Sequence, residues 1–127
     1  MKILIVDDSR VGRNYVAKIL LTSGSIQEND ISSVGKGSDA IELLQHNNID
    51  LMFLDINMPG ISGIGVLEKL NEMGILQKIQ VVITSSLNDK ERLDKINSFG
   101  IKHILRKPFT PEMLNRVYEI MKGLCQK

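Results

Sequence analysis

The stretch LMFLDINMPG, residues 51–60, decides how this chain folds: an apolar run of strand length stops on a carboxylate, Asp55, and turn-forming Asn57, Pro59 and Gly60 follow. Runs of similar length occur at 2–6 (KILIV), 30–34 (DISSV), 79–84 (IQVVIT) and 102–105 (KHIL). Several are rich in β-branched residues, which suit a pleated sheet. Helical spacing fills the gaps between them. Ser9 is placed to cap a helix carrying Val11, Tyr15, Ile19 and Leu20 on one side, with Gly24 as its terminator. Ala40, Ile41, Leu43 and Leu44 mark a second helix, and Val66, Leu67 and Leu70 a third ending near Gly74. Asn88 or Asp89 caps a fourth, with Leu93, Ile96 and Phe99, which Gly100 stops. Thr110, Pro111 and Glu112 open a fifth with N-cap, first-turn proline and a dipole-matched acid.

Strict alternation of strand and helix predicts right-handed crossovers and a doubly wound α/β fold, its five-stranded parallel sheet covered on both faces by five helices. The near-continuous apolar runs LIV, LMFL and VVI fit strands buried on both sides. The second and fifth strands are more polar and belong at the edges, which selects the order 2-1-3-4-5. With 127 residues, 43% of them hydrophobic, the chain has material for one packed core, so a single domain over 1–127 is expected. A net charge of +1 supplies no field for nucleic acid or an anionic membrane. The single cysteine, Cys125, allows no internal disulfide and suits helix surface or packing. No apolar run has membrane-spanning length, and MKILIVDDSR meets acids too early for a signal peptide, so a cytoplasmic location is expected.

In open α/β sheets ligands sit at the carboxyl ends of the strands, where the strand order reverses. Here that point lies between strands one and three, which end in Asp7-Asp8 and Asp55. Strand four ends in Thr84-Ser85-Ser86 and strand five in Arg106-Lys107-Pro108. Neighbouring strands are about 4.8 Å apart, so the Lys107 stem is long enough to reach Asp55 across two of them. Two unit charges about 4 Å apart repel by roughly 4 kcal/mol at an effective dielectric near 20, so either some of the three carboxylates are protonated or a cation joins them. Hard oxygen donors suit Mg²⁺. With a metal and Lys107 alongside, one carboxylate can act as a nucleophile on phosphorus, and the Thr84 hydroxyl can bond the transferred group.

The ordered set VDDSR, LDINMPG, ITSS and RKPF, each at the end of its own strand, resembles the receiver domain of two-component response regulators over essentially the whole chain. The resemblance implies a flavodoxin-like fold and a signalling switch without turnover of an external substrate. Asp55 would accept a phosphoryl group from a sensor histidine kinase or a histidine phosphotransfer protein. Asp8, Asp55 and the main-chain carbonyl of Asn57 would bind Mg²⁺, for which Mn²⁺ can substitute, with Asp7 acting largely through water. Thr84 and Lys107 would hold the phosphoryl oxygens, and the Lys107-Pro108 bond would be cis. Asn57 and Ser86 resemble the positions that tune hydrolysis of the acyl phosphate. Arg10, Gly12, Arg13 and Asn14 are candidates for docking the phosphodonor.

The chain departs from the family at two places. Ser62 stands where Asp is frequent, and Ile104 stands where an aromatic residue normally follows the Thr84 hydroxyl inward on activation. The switch is therefore assigned to Thr84 and Ile104, with the neighbouring His103 as an alternative participant. A helix 4–strand 5–helix 5 face is expected to bind a downstream protein, because Met113, Leu114, Val117, Tyr118, Ile120, Met121 and Leu124 cover more of the last helix than one core stripe needs. Gly60 and Gly63 are read as supplying turn geometry. Met52 and Met73 are read as core residues, and His46 and His103 lack the spacing of a zinc site or a catalytic triad. Two other functional classes are an aspartyl-phosphate phosphohydrolase, whose leading DxD is missing, and a pseudo-receiver that only binds proteins. VDDSR and the length resemble stand-alone chemotaxis-type regulators.

Overall fold

The apolar runs become strands because their residues can be buried on two faces at once. The computed structural model describes residues 1–86 and 90–125. Along them run β1 (Ile3–Val6), α1 (Arg10–Thr22), β2 (Ile31–Val34), α2 (Gly37–His46), β3 (Leu51–Asp55), α3 (Gly63–Glu72), β4 (Gln80–Ser85), α4 (Lys90–Ser98), β5 (His103–Arg106) and α5 (Pro111–Cys125). Short 3₁₀ turns at Glu28–Asp30 and Leu76–Lys78, which periodicity did not announce, lead into β2 and β4.

The strands pair in parallel in the order β2-β1-β3-β4-β5. Every residue of β1 and β3 is buried, whereas β2 and β5 are partly exposed, as their polarity requires of edges. Side chains alternate between faces. Leu4, Val6, Met52, Leu54 and Ile83 pack under α2, α3 and α4 against Leu44, Val66, Leu67, Leu70 and Ile96. Ile3, Ile5, Leu51, Phe53 and Val82 face α1 and α5, meeting Val16, Leu20, Leu114, Tyr118 and Met121. Each fully buried aliphatic or aromatic side chain contributes about 1.5–3 kcal/mol, so these two layers fix which way every strand end points.

Helix ends follow the residues that mark them. Ser9 Oγ accepts from Gly12 N at 3.1 Å, and Thr110 Oγ1 accepts from Met113 N at 3.1 Å. Gly24, Gly74 and Gly100 follow α1, α3 and α4 at φ of 81°, 72° and 83°, where a Cβ would be strained. The candidate caps Asn88 and Asp89 lie outside the described residues.

Three packing expectations need correction. On α1 the buried stripe is Val16, Ile19 and Leu20, while Val11 is 79% exposed, because the first turn borders a cleft at the strand ends rather than the sheet. Met73 is only partly buried, since it caps the end of α3 and sets its sulfur 4.0 Å from Gln45 Nε2. On α5, Val117 and Leu124 pack against the core, so the surplus apolar surface reduces to Met113 and Ile120. Cys125 is half-buried, with Sγ 3.6 Å from the Asp50 carbonyl oxygen. Among the described residues, no helix is long and apolar enough to cross a membrane.

Candidate functional site

Because the strands are parallel, their carboxyl ends emerge together, and the sheet register decides which side chains meet. Asp55 is the last residue of β3 and pairs with Thr84 of β4. Asp7 and Asp8 follow β1, which pairs with β3 along Ile3–Val6 and Leu51–Leu54. Asp7 and Asp55 are buried and Asp8 is exposed. One carboxylate oxygen from each of the three lies within 4.8 Å of the others.

Lys107 reaches this cluster from the far side of β4. Its Nζ donates to Asp7 Oδ2 at 3.0 Å and to Asp55 Oδ2 at 3.3 Å. The second oxygens are held by main-chain donors: Ser9 N lies 2.9 Å from Asp7 Oδ1, and Asn57 N lies 3.0 Å from Asp55 Oδ1. Lys107 is itself anchored, its N–H donating to the Ser85 carbonyl at 2.8 Å, and the Lys107-Pro108 bond is cis, as the resemblance implied. Both buried carboxylates are therefore oriented by two hydrogen-bond donors each.

The electrostatics match a site short of positive charge. Burial pushes the Asp55 carboxyl above its usual range, and the nearby Asp7 carboxylate adds to that rise against the opposing pull of the Asn57 N–H and Lys107. Burial alone would lower the Lys107 ammonium, but the hydrogen bond to Asp7 and the Asp55 and Asp7 charges raise it overall, so it stays protonated at neutral pH. Three acids facing one ammonium leave an excess of negative charge among hard oxygen donors, with Asp8 open to solvent. A small divalent cation suits that set, which is the one metal-capable cluster of acids, histidines or cysteines found among the described residues.

Close approaches explain two glycines. A Cβ on Gly63 would stand 2.6 Å from the Asp55 carbonyl oxygen and 2.7 Å from Ile56 Cα, so α3 can begin beneath Asp55 only without a side chain there. Gly60 has the positive φ expected of a turn, at 76°, whereas Gly63 does not; contact, not φ, selects glycine at 63. On Gly12 a Cβ would meet Asp7 Oδ2 at 2.7 Å, so this position lets α1 approach the acidic pair. Ser62 caps α3, its Oγ accepting from Gly65 N at 3.2 Å, which gives the departure from Asp a local role.

Some contacts of the site carried no sequence signal. Arg13 Nη1 donates to the Asp7 carbonyl at 2.7 Å. Tyr15 OH donates to the Phe109 carbonyl at 2.8 Å, and the two rings lie 5.8 Å apart. With Val11, this pair walls a cleft of about 550 Å³ into which Asp7, Thr84 and Lys107 open. Asn57 Nδ2 donates to Ser86 Oγ at 3.2 Å, so these two positions touch, and Arg92 of α4 donates to Asn57 Oδ1 at 2.8 Å. Ile104 is partly buried on the α4 side of the sheet beside Ile83. His103 precedes it and pairs with Val82, on the opposite face. A second cleft, of about 340 Å³, lies at the amino ends of β4 and β5 and contains none of the strand-end acids.

Comparison with known proteins agrees with this arrangement. Residues 3–119 match the response regulator receiver domain family. A two-component response regulator of Oryza sativa subsp. japonica, ORR6, is 34% identical over 120 residues, spanning 92% of this chain and 68% of that protein. A probable chemotaxis protein CheY of Rhizobium etli is 28% identical over 123 residues, 97% of this chain and 93% of its own. Among solved structures, chemotaxis protein CheY4 of Vibrio cholerae superposes with a TM-score of 0.83 at 23% identity, covering 94% of this chain and 97% of that one, a likeness of fold. A CheY-like receiver domain protein from Methanospirillum hungatei gives 0.83 at 25% identity, covering 98% and 96%.

Proposed function

Because this chain belongs to the response regulator receiver domain family, whose members are phosphoacceptor signalling domains rather than substrate-turnover enzymes, we propose that residues 1–127 form one receiver domain whose phosphoacceptor is Asp55. The donor is a phosphohistidine on a sensor kinase or a phosphotransfer protein. An ionised Asp55 oxygen attacks phosphorus, the P–N bond breaks, and its electron pair stays with the departing imidazole, which takes up a proton. The observation that carries this assignment is the double reach of Lys107 to Asp7 and Asp55, at 3.0 and 3.3 Å. One cation thereby stands beside the nucleophile, where negative charge on the transferred oxygens must be neutralised.

Asp7, Asp8, Asp55 and the Asn57 main-chain carbonyl are the candidate holders of Mg²⁺ or Mn²⁺. When bound, the ion supplies further neutralisation of the phosphoryl oxygens. Thr84 donates its hydroxyl to the product, a role supported by its pairing with Asp55 in register. Asn57 and Ser86 tune the lifetime of the acyl phosphate. Arg10 and Asn14, both exposed, and Val11 and Tyr15 at the cleft rim are candidates for docking the donor. Arg13 and Gly12 act instead on Asp7, one through its carbonyl and the other by leaving room for its carboxylate.

Phosphorylation adds between one and two negative charges and three acceptors at Asp55. Thr84 moves toward them and Ile104 repacks against the α4-side core, altering a downstream-protein surface on α4, β5 and α5 in a cytoplasmic signalling pathway. The test is intact mass after incubation with Mg²⁺ and phosphoramidate. Gain of one phosphoryl group by the wild type and not by Asp55→Asn is the expected result. Absence of any gain with several donors, together with no response to beryllofluoride, would leave a phosphorylation-independent binding module.

A further inference from the structure

The acceptor carboxylate is the start of a hydrogen-bonded chain that ends on a helix. Asn57 N donates to Asp55 Oδ1 at 3.0 Å, Asn57 Nδ2 donates to Ser86 Oγ at 3.2 Å, and Arg92 Nη1 donates to Asn57 Oδ1 at 2.8 Å. A guanidinium only donates, so the atom facing it must be Oδ1, and this leaves Nδ2 for the serine hydroxyl. The amide is thus fixed in one orientation. Asn57 and Ser86 both sit in loops, after β3 and β4, while Arg92 belongs to the first turn of α4. Ser86 also lines the cleft into which Asp7, Thr84 and Lys107 open.

We infer that Arg92 is a positioning residue for loss of the phosphoryl group: it holds Asn57 and Ser86 as a screen at the open edge of Asp55 and so lengthens the phosphorylated state. This rests on Asp55 being the phosphoacceptor. In hydrolysis a water oxygen forms a bond to phosphorus as the P–Oδ bond breaks. The electron pair of the broken bond returns to the Asp55 carboxylate, and the water protons leave with inorganic phosphate and solvent. In-line attack needs water on the side of phosphorus facing away from Asp55. Two loop side chains locked edge to edge narrow that approach, and two that swing freely do not. Since the lock belongs to α4, displacement of that helix by a partner shortens the lifetime of the signal.

The experiment loads wild type, Arg92→Ala, Arg92→Lys, Asn57→Ala and the Arg92→Ala/Asn57→Ala double variant with phosphoramidate and Mg²⁺, removes the donor, and follows the phosphoryl mass. Arg92→Ala is expected to lose it about fivefold faster, the effect of one solvent-exposed hydrogen bond, with the rate of gain nearly unchanged. Arg92→Lys, which keeps one donor, restores part of the lifetime. The double variant decays no faster than the faster single variant, as a shared mechanism requires. Equal decay of wild type and Arg92→Ala, an undiminished Arg92→Ala effect in the Asn57→Ala background, or slower gain with normal decay would each overturn the inference while leaving Asp55 as acceptor. No gain in the wild type would instead overturn the acceptor assignment, and the inference with it.

Discussion

Replacing Asp55 by Asn should make the metal-free protein more stable at neutral pH, although it removes a carboxylate from an ion pair. The Lys107 ammonium lies 3.3 Å from Asp55, an attraction of about 5 kcal/mol at an effective dielectric near 20. Against this, the Asp7 carboxylate repels Asp55, and burial strips the Asp55 charge of water. Burial is the largest of these effects and outweighs the Lys107 attraction, so the ionised carboxylate is held at a net cost. Asparagine keeps the volume and a side-chain acceptor for the Asn57 N–H, and Lys107 keeps Asp7. The expected gain is about 1–2 kcal/mol, at the low end of what removing a buried charge gives, or about 4–8 °C in Tm for a chain of this length.

The pH dependence has a defined sign. The folded-state pKa of Asp55 is raised above its ordinary 3.8, so the folded protein binds this proton more tightly than the unfolded chain. Stability contributed by Asp55 therefore falls as pH rises from 3.8 through the folded value, and the advantage of Asp55→Asn grows over that same window. Urea titrations of both proteins at neutral and acid pH, with chelator present, measure it. Mg²⁺ should then stabilise the wild type far more than the variant, reversing the order at saturating ion. A metal-free variant no more stable than wild type at pH 7, with an unchanged denaturant slope, would refute a net cost of burying the Asp55 charge.

Lys107→Met removes the single ammonium bonded to both buried acids, and should lower metal-free stability by about 1–3 kcal/mol in urea, the loss expected when one partner of a partly screened pair is removed. The folded-state pKa of Lys107 lies above 10.5, so its contribution is whole below 10.5 and disappears as pH rises through the folded value; the gap to wild type should close only there. Gly63→Ala puts a Cβ against two backbone positions, at 2.6 and 2.7 Å, that cannot rotate away. It should cost about 1–3 kcal/mol by thermal or urea unfolding, and an unchanged stability would mean that α3 slides freely beneath Asp55.

The fold was legible because its signals are local and repeated. KILIV, DLMFL and IQVVIT could only be strands buried on both sides, and the polarity of DISSV and KHIL placed them at the edges, where they are. The strand-end acids and Lys107 were legible for the same reason: once the order is known, parallel strands deliver their last residues to one place. Helix faces were harder. Val11 shares the spacing of Ile19, yet it sits in a first turn that overhangs a cleft, and periodicity does not say where a helix runs off the end of its sheet.

Contacts between loops and distant helices left no trace in the sequence at all. Arg92 reads as one charge on a polar helix, and 35 positions separate it from Asn57. What brings them together is the register of β3 against β4 and the packing of α4 beside that pair, neither of which has a period. The same holds for Tyr15, whose hydroxyl meets Phe109 across 94 positions. Both contacts tie a strand-end loop to a helix that flanks the sheet, one on each face. The chemistry proposed at Asp55 draws on residues that the strand pattern predicts, while the contacts that hold those residues involve side chains that it cannot predict. Substitutions of the second kind should therefore change rates and lifetimes without abolishing phosphorylation, which is the distinction that separates Arg92 from Lys107.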